Sequence, residues 1–331
     1  MKFIHFSDLH LDETYNRIAD YTALLGVLLD EVIAFAPDCV LFGGDAYHTH
    51  TPKQENKAIF HAYIMAMAKV CPVFLVVGNH DRTRRQNAKD ALYEFTSLGV
   101  ENVYVFHEMG QVSMGSYTVT GIPWQYSREY TIPPLGDGFN IALVHASFLG
   151  ANMGGNSVTV LGHDFVIAPE DVAGFDYVAA GHIHTPQQIG NIIYPGSVGI
   201  HNWGEFKDGA HYYILYDDGV VKWVPFRDRI RFSFDIEDEP DTIYPEAMYR
   251  IVVPHDYKDM ASLLRRYDEV FDLSIIREHD PVVRVRMPTF VDASLPDKEL
   301  RLRQLKTYFE AIEEEFSPDL VELFEAAYEA H

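Results

Sequence analysis

The chain has 331 residues, a formal net charge of −23 and 47% apolar residues. That is enough for a substantial buried core, and the absence of any run of ~18 or more apolar residues excludes a transmembrane helix. A balance of 49 acidic against 26 basic side chains also runs against a free-standing duplex binder, whose surface is normally basic.

In chain order, the run at 3–6 reads as a buried strand, followed by a helix over 15–35. Its Leu24, Leu25, Leu28, Leu29, Val32 and Ile33 recur at three and four. A strand at 39–42 completes a β-α-β unit, and a second helix over 53–69 leads to a strand at 73–77. From 103 onward the chain is strand-rich, with hairpins expected at 114–116, 190–191 and 217–219. These elements predict two sheets packed face to face with helices outside, a four-layer α/β/β/α sandwich. The glycine-bearing stretch 146–163 has no period and reads as a loop over a cleft. Cys39 and Cys71 lie at or beside buried strands and are expected as reduced core thiols.

The character changes after 226. Residues 235–245 (DIEDEPDTIYP) are acidic, carry two prolines and read as a linker. Segments at 249–253, 256–271, 273–277 and 282–287 then predict a small α/β unit. From 296 onward two helices are expected, broken at Ser317-Pro318, with Leu305, Phe309, Ile312, Phe316 and Leu320 among their apolar positions.

Chemistry is concentrated in five short segments: Asp8-Leu-His10, Gly44-Asp45, Gly78-Asn79-His80-Asp81, Val144-His145 and Gly181-His182-Ile183-His184. The first four each follow an apolar run, so their side chains emerge at the carboxyl ends of strands, where open sheets build sites. Asp8, Asp45 and Asn79 offer oxygen; His10, His145, His182 and His184 offer imidazole. Two divalent ions about 3.5–4 Å apart need about that many donors, with one carboxylate bridging. The mixed set suits manganese, iron or zinc more than calcium or a thiolate-held zinc. Such ions lower the pKa of water toward ~7 and clamp a phosphoester during in-line attack. His80 is the candidate acid for the leaving oxygen, and Asp81 is the residue expected to orient it. Arg82, Arg84 and Arg85 follow directly and are candidate contacts to a phosphate backbone.

The stretches FSDLHLD, LFGGDAYHTHTP, VVGNHD, LVHASF, FDYVAAGHIHTPQ and YPGSVG resemble the calcineurin-like metallophosphoesterases. Within them the pattern is most similar to the nuclease subunits of SbcCD type. The resemblance implies one ion held by Asp8, His10, Asp45 and His184, and a second held by Asp45, Asn79, His145 and His182. It implies a catalytic role for His80 and places His48 beside the active site. It also implies a nuclease domain over 1–234, a DNA-positioning capping domain over 246–290, and a helical tail over 295–331 that docks an ATPase.

Where phosphoprotein-directed relatives show GDxxDRG and GNHE, this chain has GDAYH and GNHD, which favours a diester. The implied protein is a manganese-dependent DNA phosphodiesterase (iron, zinc or magnesium being alternatives). It would have 3′→5′ exonuclease activity on duplexes and endonuclease activity on single strands or hairpins. A homodimer working with an SbcC-type ATPase subunit is expected, without membrane attachment. A ligand as early as Asp8 would be lost with a cleaved signal peptide, so an intracellular location is expected. The alternative is a stand-alone enzyme for small diesters or cyclic nucleotides, which the acidity would suit. A vestigial, non-catalytic scaffold and a phosphoprotein phosphatase are the remaining readings. Among the other histidines His5 is expected in the core, and His50 and His201 lie on site-adjacent loops. Trp203 and Phe206 sit on a rim where bases could stack.

Overall fold

The computed structural model describes residues 1–12, 16–83, 89–127, 130–154, 165–201, 205, 211–226, 231–245, 247–270 and 272–277. Two compact units meet in sequence between Ile230 and Arg231.

The first unit opens with β1 (Lys2–Phe6), α1 (Ile18–Phe35), β2 (Cys39–Phe42), α2 (Gln54–Ala68), β3 (Val73–Val76), α3 (Tyr93–Ser97) and β4 (Val103–Phe106). The four strands pair in parallel, as crossover helices require. α1 starts later than its apolar period suggests, because the Arg17 backbone N–H donates to the Asp20 carboxylate at 3.0 Å and closes the first turn. It ends where Ala36 turns left-handed ahead of Pro37.

A second sheet follows: β5 (Gly110–Ser113), β6 (Tyr117–Ile122) and β7 (Phe139–His145). After the short pair β8 (Ser147–Phe148) and β9 (Val166–Ile167) come β10 (Tyr177–Gly181), β11 (Gln187–Ile189) and β12 (Ile192–Tyr194). Its order is β11-β12-β10-β7-β6-β5, parallel at the centre and antiparallel at both edges. β13 (Tyr212–Asp217) and β14 (Val220–Pro225) return to the first sheet, giving β14-β13-β1-β2-β3-β4. The three expected hairpins are present, and the 217–219 turn uses Asp218 and Gly219, both at positive φ.

Strand alternation sorts the cores. Phe3, Leu41, Phe74, Val119, Ile141 and Tyr177 fill the space between the sheets. Ile4, Phe6, Val40 and Phe42 face the other way, onto Leu25, Leu28, Phe60 and Ile64 of the helices. The outer face of the second sheet packs against Phe148, Phe165, Ile167 and the turn Pro169–Val172. His5 lies in the inter-sheet layer, its Nδ1 3.1 Å from the Tyr177 hydroxyl. Cys39 and Cys71 are buried free thiols, as expected. At the carboxyl ends the sheets approach at backbone level. A Cβ on Gly181 would stand 2.1 Å from the Gly43 carbonyl oxygen.

The second unit contains a parallel sheet of β15 (Arg231–Asp235), β16 (Met248–Val253) and β17 (Asp272–Arg277), with α4 (Met260–Arg266) between the last two. Tyr249, Ile251, Val253, Leu263 and Tyr267 form its core. The linker expected at 235–245 lies inside this unit. Asp235 ends β15 and Ile236–Asp238 forms a 3₁₀ turn, while Ile236 and Ile243 pack on the core. A parallel pair needs a long crossover, and this acidic stretch supplies it. α4 is shorter than the helix expected over 256–271, because Tyr257 is committed to a turn on the Pro254 carbonyl. The strand expected at 282–287 and the tail helices lie outside the described residues, as does 155–164 of the expected loop. Ser147–Phe148, at the start of that stretch, is strand.

Candidate metal centre

The site is built where the strands stop. Asp8 and His10 follow β1, Asp45 follows β2, Asn79 and His80 follow β3, His145 ends β7, and His182 and His184 follow β10. Asp8, His10, Asp45 and His182 all take positive φ, at 56°, 44°, 54° and 98°. Each such non-glycine residue costs on the order of 1–3 kcal/mol, so the surroundings must enforce it. The Asp8 and His10 N–H groups donate to the carbonyls of Gly44 and Asp45, each at 3.0 Å. The His182 N–H donates to the Asp8 carboxylate at 3.0 Å, and the His80 N–H donates to Asp45 Oδ1 at 2.9 Å. Gly78 is required by space, since a Cβ there would lie 2.0 Å from Asp45 Oδ1.

The seven expected donors converge. The donor atoms of Asp8, His10 and His184 lie within 4.8 Å of one another, and so do those of Asp45, His145 and His182. Asp45 Oδ2 stands 3.4 Å from His10 Nε2 and 3.4 Å from His145 Nε2, midway between the groups. His10 Nε2 and His184 Nε2 are 3.0 Å apart, and Asn79 Oδ1 is 2.9 Å from His145 Nε2 and 3.1 Å from His182 Nδ1. Two donors on one tetrahedral ion at ~2.1 Å lie roughly 3.4 Å apart, so this spacing fits shared cations. A cleft of about 150 Å³ opens onto the site, lined by His10, Asp45, His48, Asn79, His80, His182, His184, His201 and Glu205.

The electrostatics point the same way. Asp8 is wholly buried and Asp45 is 2% exposed. Burial raises the Asp8 carboxyl, more than the imidazoles of His145 and His184 lower it. Burial also opposes the charge on Asp45, but His145 and His10 outweigh it and hold this carboxyl below the usual range. His145 is likewise penalised by burial, yet Asp45, Asp8 and the Gly43 carbonyl raise it to about 9. Two buried carboxylates so close together call for compensating positive charge, which divalent cations provide. The orienting contacts leave the donors available. His145 Nδ1 lies 2.6 Å from the Gly43 carbonyl and His184 Nδ1 lies 2.7 Å from Glu205 Oε1, so both rings can present Nε2 to a cation. The residues present therefore fit two divalent ions.

His80 and His48 are half-buried at the cleft, and their ring nitrogens lie within 4.8 Å of that of His10. The expected pairing of Asp81 with His80 is replaced by another contact. His80 Nδ1 lies 2.7 Å from the His48 carbonyl. The Asp81 carboxylate instead accepts from the N–H groups of Gly78, Ala46 and Tyr47, tying the loop after β3 to the loop after β2. A buried carboxylate takes whichever donors the backbone presents, and three amides converge here. Burial and the nearby Asp45 charge raise Asp81 to about 7.

Arg82 donates to the His107 carbonyl and lies 3.9 Å from Glu108. Arg84, Arg85, Trp203 and Phe206 lie outside the described residues. His50 is exposed and off the cleft wall, whereas His201 is buried on it, with Nε2 3.1 Å from the Asp8 carbonyl. Glu205 is the residue the sequence reading missed. Its one local sign was an acid on the rim stretch after YPGS, with nothing to link it to His184.

The model of the calcineurin-like phosphoesterase family matches residues 1–186, more than half of the chain. The chain belongs to that family, and so to hydrolases that act on phosphoesters with divalent metals. It is 26% identical over 247 residues to the phosphoesterase-named protein 244L of Invertebrate iridescent virus 6, covering 68% of this chain and 79% of that one. It is 26% identical over 285 residues to the DNA double-strand break repair protein Mre11 of Archaeoglobus fulgidus, covering 72% of this chain and 62% of the relative. With the SbcD component of the nuclease SbcCD from Staphylococcus epidermidis it shares 25% identity over 280 residues, 72% of this chain and 74% of the other. No helix among the described residues is long and apolar enough to cross a membrane.

Proposed function

We propose that the chain is a two-metal phosphodiesterase that cleaves DNA, the nuclease subunit of an SbcCD-like complex inside the cell. The observation that carries the reading is the placement of Asp45 Oδ2 at 3.4 Å from the leading histidine of each donor group. One carboxylate so placed would serve two ions, an arrangement suited to in-line displacement at a phosphoester. The likeness to Mre11 and to SbcD supports DNA as the substrate, and GDAYH with GNHD supports a diester.

Asp8, His10, Asp45 and His184 would hold one ion, and Asp45, Asn79, His145 and His182 the other. Manganese is the ion we assign among the manganese, iron and zinc that suit the mixed oxygen and imidazole set. Ions held there supply Lewis acidity, activating water near neutral pH and offsetting phosphoester charge. His80 donates Nδ1–H to the His48 carbonyl, which fixes its ring at the cleft and leaves Nε2 to deliver a proton to the leaving oxygen. His48 thus acts through its backbone on His80 and through its own ring at the cleft edge. The same reading includes a homodimer, an SbcC-type ATPase partner and 3′→5′ polarity on duplex ends. It also assigns backbone contact to the arginines at 82, 84 and 85.

The test is digestion of an end-labelled linear duplex by the purified chain with Mn²⁺, with His80→Ala as control. Loss of nucleotides from the 3′ end, absent in the variant, is the expected result. An intact duplex beside rapid cleavage of a small diester would overturn the reading that this chain cleaves duplex DNA by itself, and would leave a partner-dependent nuclease or a small-diester enzyme.

A further inference from the structure

Glu205 is 9% exposed, stands on the cleft wall and is not one of the seven donors. Its two carboxylate oxygens are both committed to the same half of the site. Oε1 lies 2.7 Å from His184 Nδ1, and Oε2 accepts from the His201 backbone N–H at 2.8 Å. The His201 ring in turn reaches the backbone behind the first donor, its Nε2 3.1 Å from the Asp8 carbonyl oxygen. Its ring also packs beside His10 and His184, with centroids 5.3 and 5.6 Å away. One carboxylate therefore braces His184 directly and the Asp8–His10 turn through His201.

The other half is supported differently. There the ring of His145 is oriented by a neutral backbone carbonyl, that of Gly43, and the oxygen donor besides Asp45 is the neutral amide of Asn79. The half that contains His184 has the charged Asp8 besides Asp45, and a further carboxylate behind its imidazole. Anionic support makes a ligating imidazole a stronger donor, and removal of such a partner costs about 10–100-fold in metal affinity. The two positions are thus chemically unequal.

We propose that Glu205 is a positioning residue for His184 and that it makes the Asp8/His10/His184 position the tighter of the two metal positions. The inference rests on the two-metal reading above. Stepwise Mn²⁺ binding to the metal-stripped full chain, followed by the EPR signal of unbound Mn²⁺, tests it. Wild type should bind two ions in two separated steps. Glu205→Gln, which keeps size and one acceptor but loses the charge, should weaken the tighter step about 10–100-fold and leave the weaker one within about twofold. Glu205→Asp should restore part of the loss. His184→Ala should abolish the same step, and His145→Ala should weaken the other. Thermal unfolding of each stripped variant reports whether the fold is kept. Should Glu205→Gln bind both ions as wild type does, or weaken both steps equally, the inference fails while the two-metal reading stands. A wild-type chain that binds no second ion defeats that reading itself.

Discussion

At the scale of the residue, the site is a set of strained turns held by hydrogen bonds from one loop to the next. Four non-glycine residues at positive φ present carboxylate or imidazole groups to one small space, and the backbone contacts of Asp45, Asp81 and Gly44 keep them there. This makes the roles of neighbouring residues separable. Asp45→Asn should lower Mn²⁺ affinity at both positions, because one oxygen faces both donor groups. His80→Ala should keep two ions per chain while cutting diester turnover by about 10²-fold or more, the scale of a lost general acid. Metal analysis beside steady-state rates checks both. Loss of metal in the His80 variant would make His80 a ligand, and two ions at full affinity in the Asp45 variant would exclude bridging.

At the scale of the element, β1 is the structural axis: it pairs with β2 and β13, ends at Phe6 and leads directly into Asp8. His5 sits in that strand with no exposed surface, and burial lowers its imidazole from 6.5 to about 3, against a smaller opposing contact from the Ala180 backbone. Between those values the unfolded chain binds a proton at this position and the folded chain does not. The stability His5 allows is therefore complete above about pH 6.5 and declines as pH falls toward 3. By pH 5 the loss is about 2 kcal/mol. Urea unfolding of the metal-free chain at pH 7 and pH 5 should show this loss in wild type, and a loss smaller by about that amount in His5→Gln. Equal losses in the two would show that His5 is not held neutral.

The elements also show what was legible in the sequence. Runs such as CVLF and VFLV announce buried strands by composition, and an Asp, Asn or His just past each run marks a strand exit as a site. That is why the seven side chains that converge on the cleft are legible in the sequence. The partner of His184 is not, because Glu205 lies 21 residues further along the chain in a stretch whose sequence carries no period. The role of Asp81 was hidden for a related reason: its donors are backbone amides, which look alike in any sequence. The acidic stretch 235–245 misled because β15 and β16 pair in parallel, and a parallel crossover with few apolar residues has the composition of a linker.

At the scale of the whole molecule, the net charge of −23 sets the main physical constraint on the proposed reaction. Phosphate contacts give duplex binders their affinity, and an acidic surface repels the same phosphates. The proposed nuclease therefore relies on its bound cations and on local basic residues for access to DNA, and the proposed ATPase partner would add to that affinity. All of this presupposes that the cleft holds two ions. The most direct measurement is anomalous diffraction at the manganese edge from crystals of the chain grown with Mn²⁺. Two peaks about 3.5–4 Å apart, with Asp45 between them and His184 and His145 on opposite sides, are the predicted result. A single peak, or manganese held away from Asp45, would contradict the account.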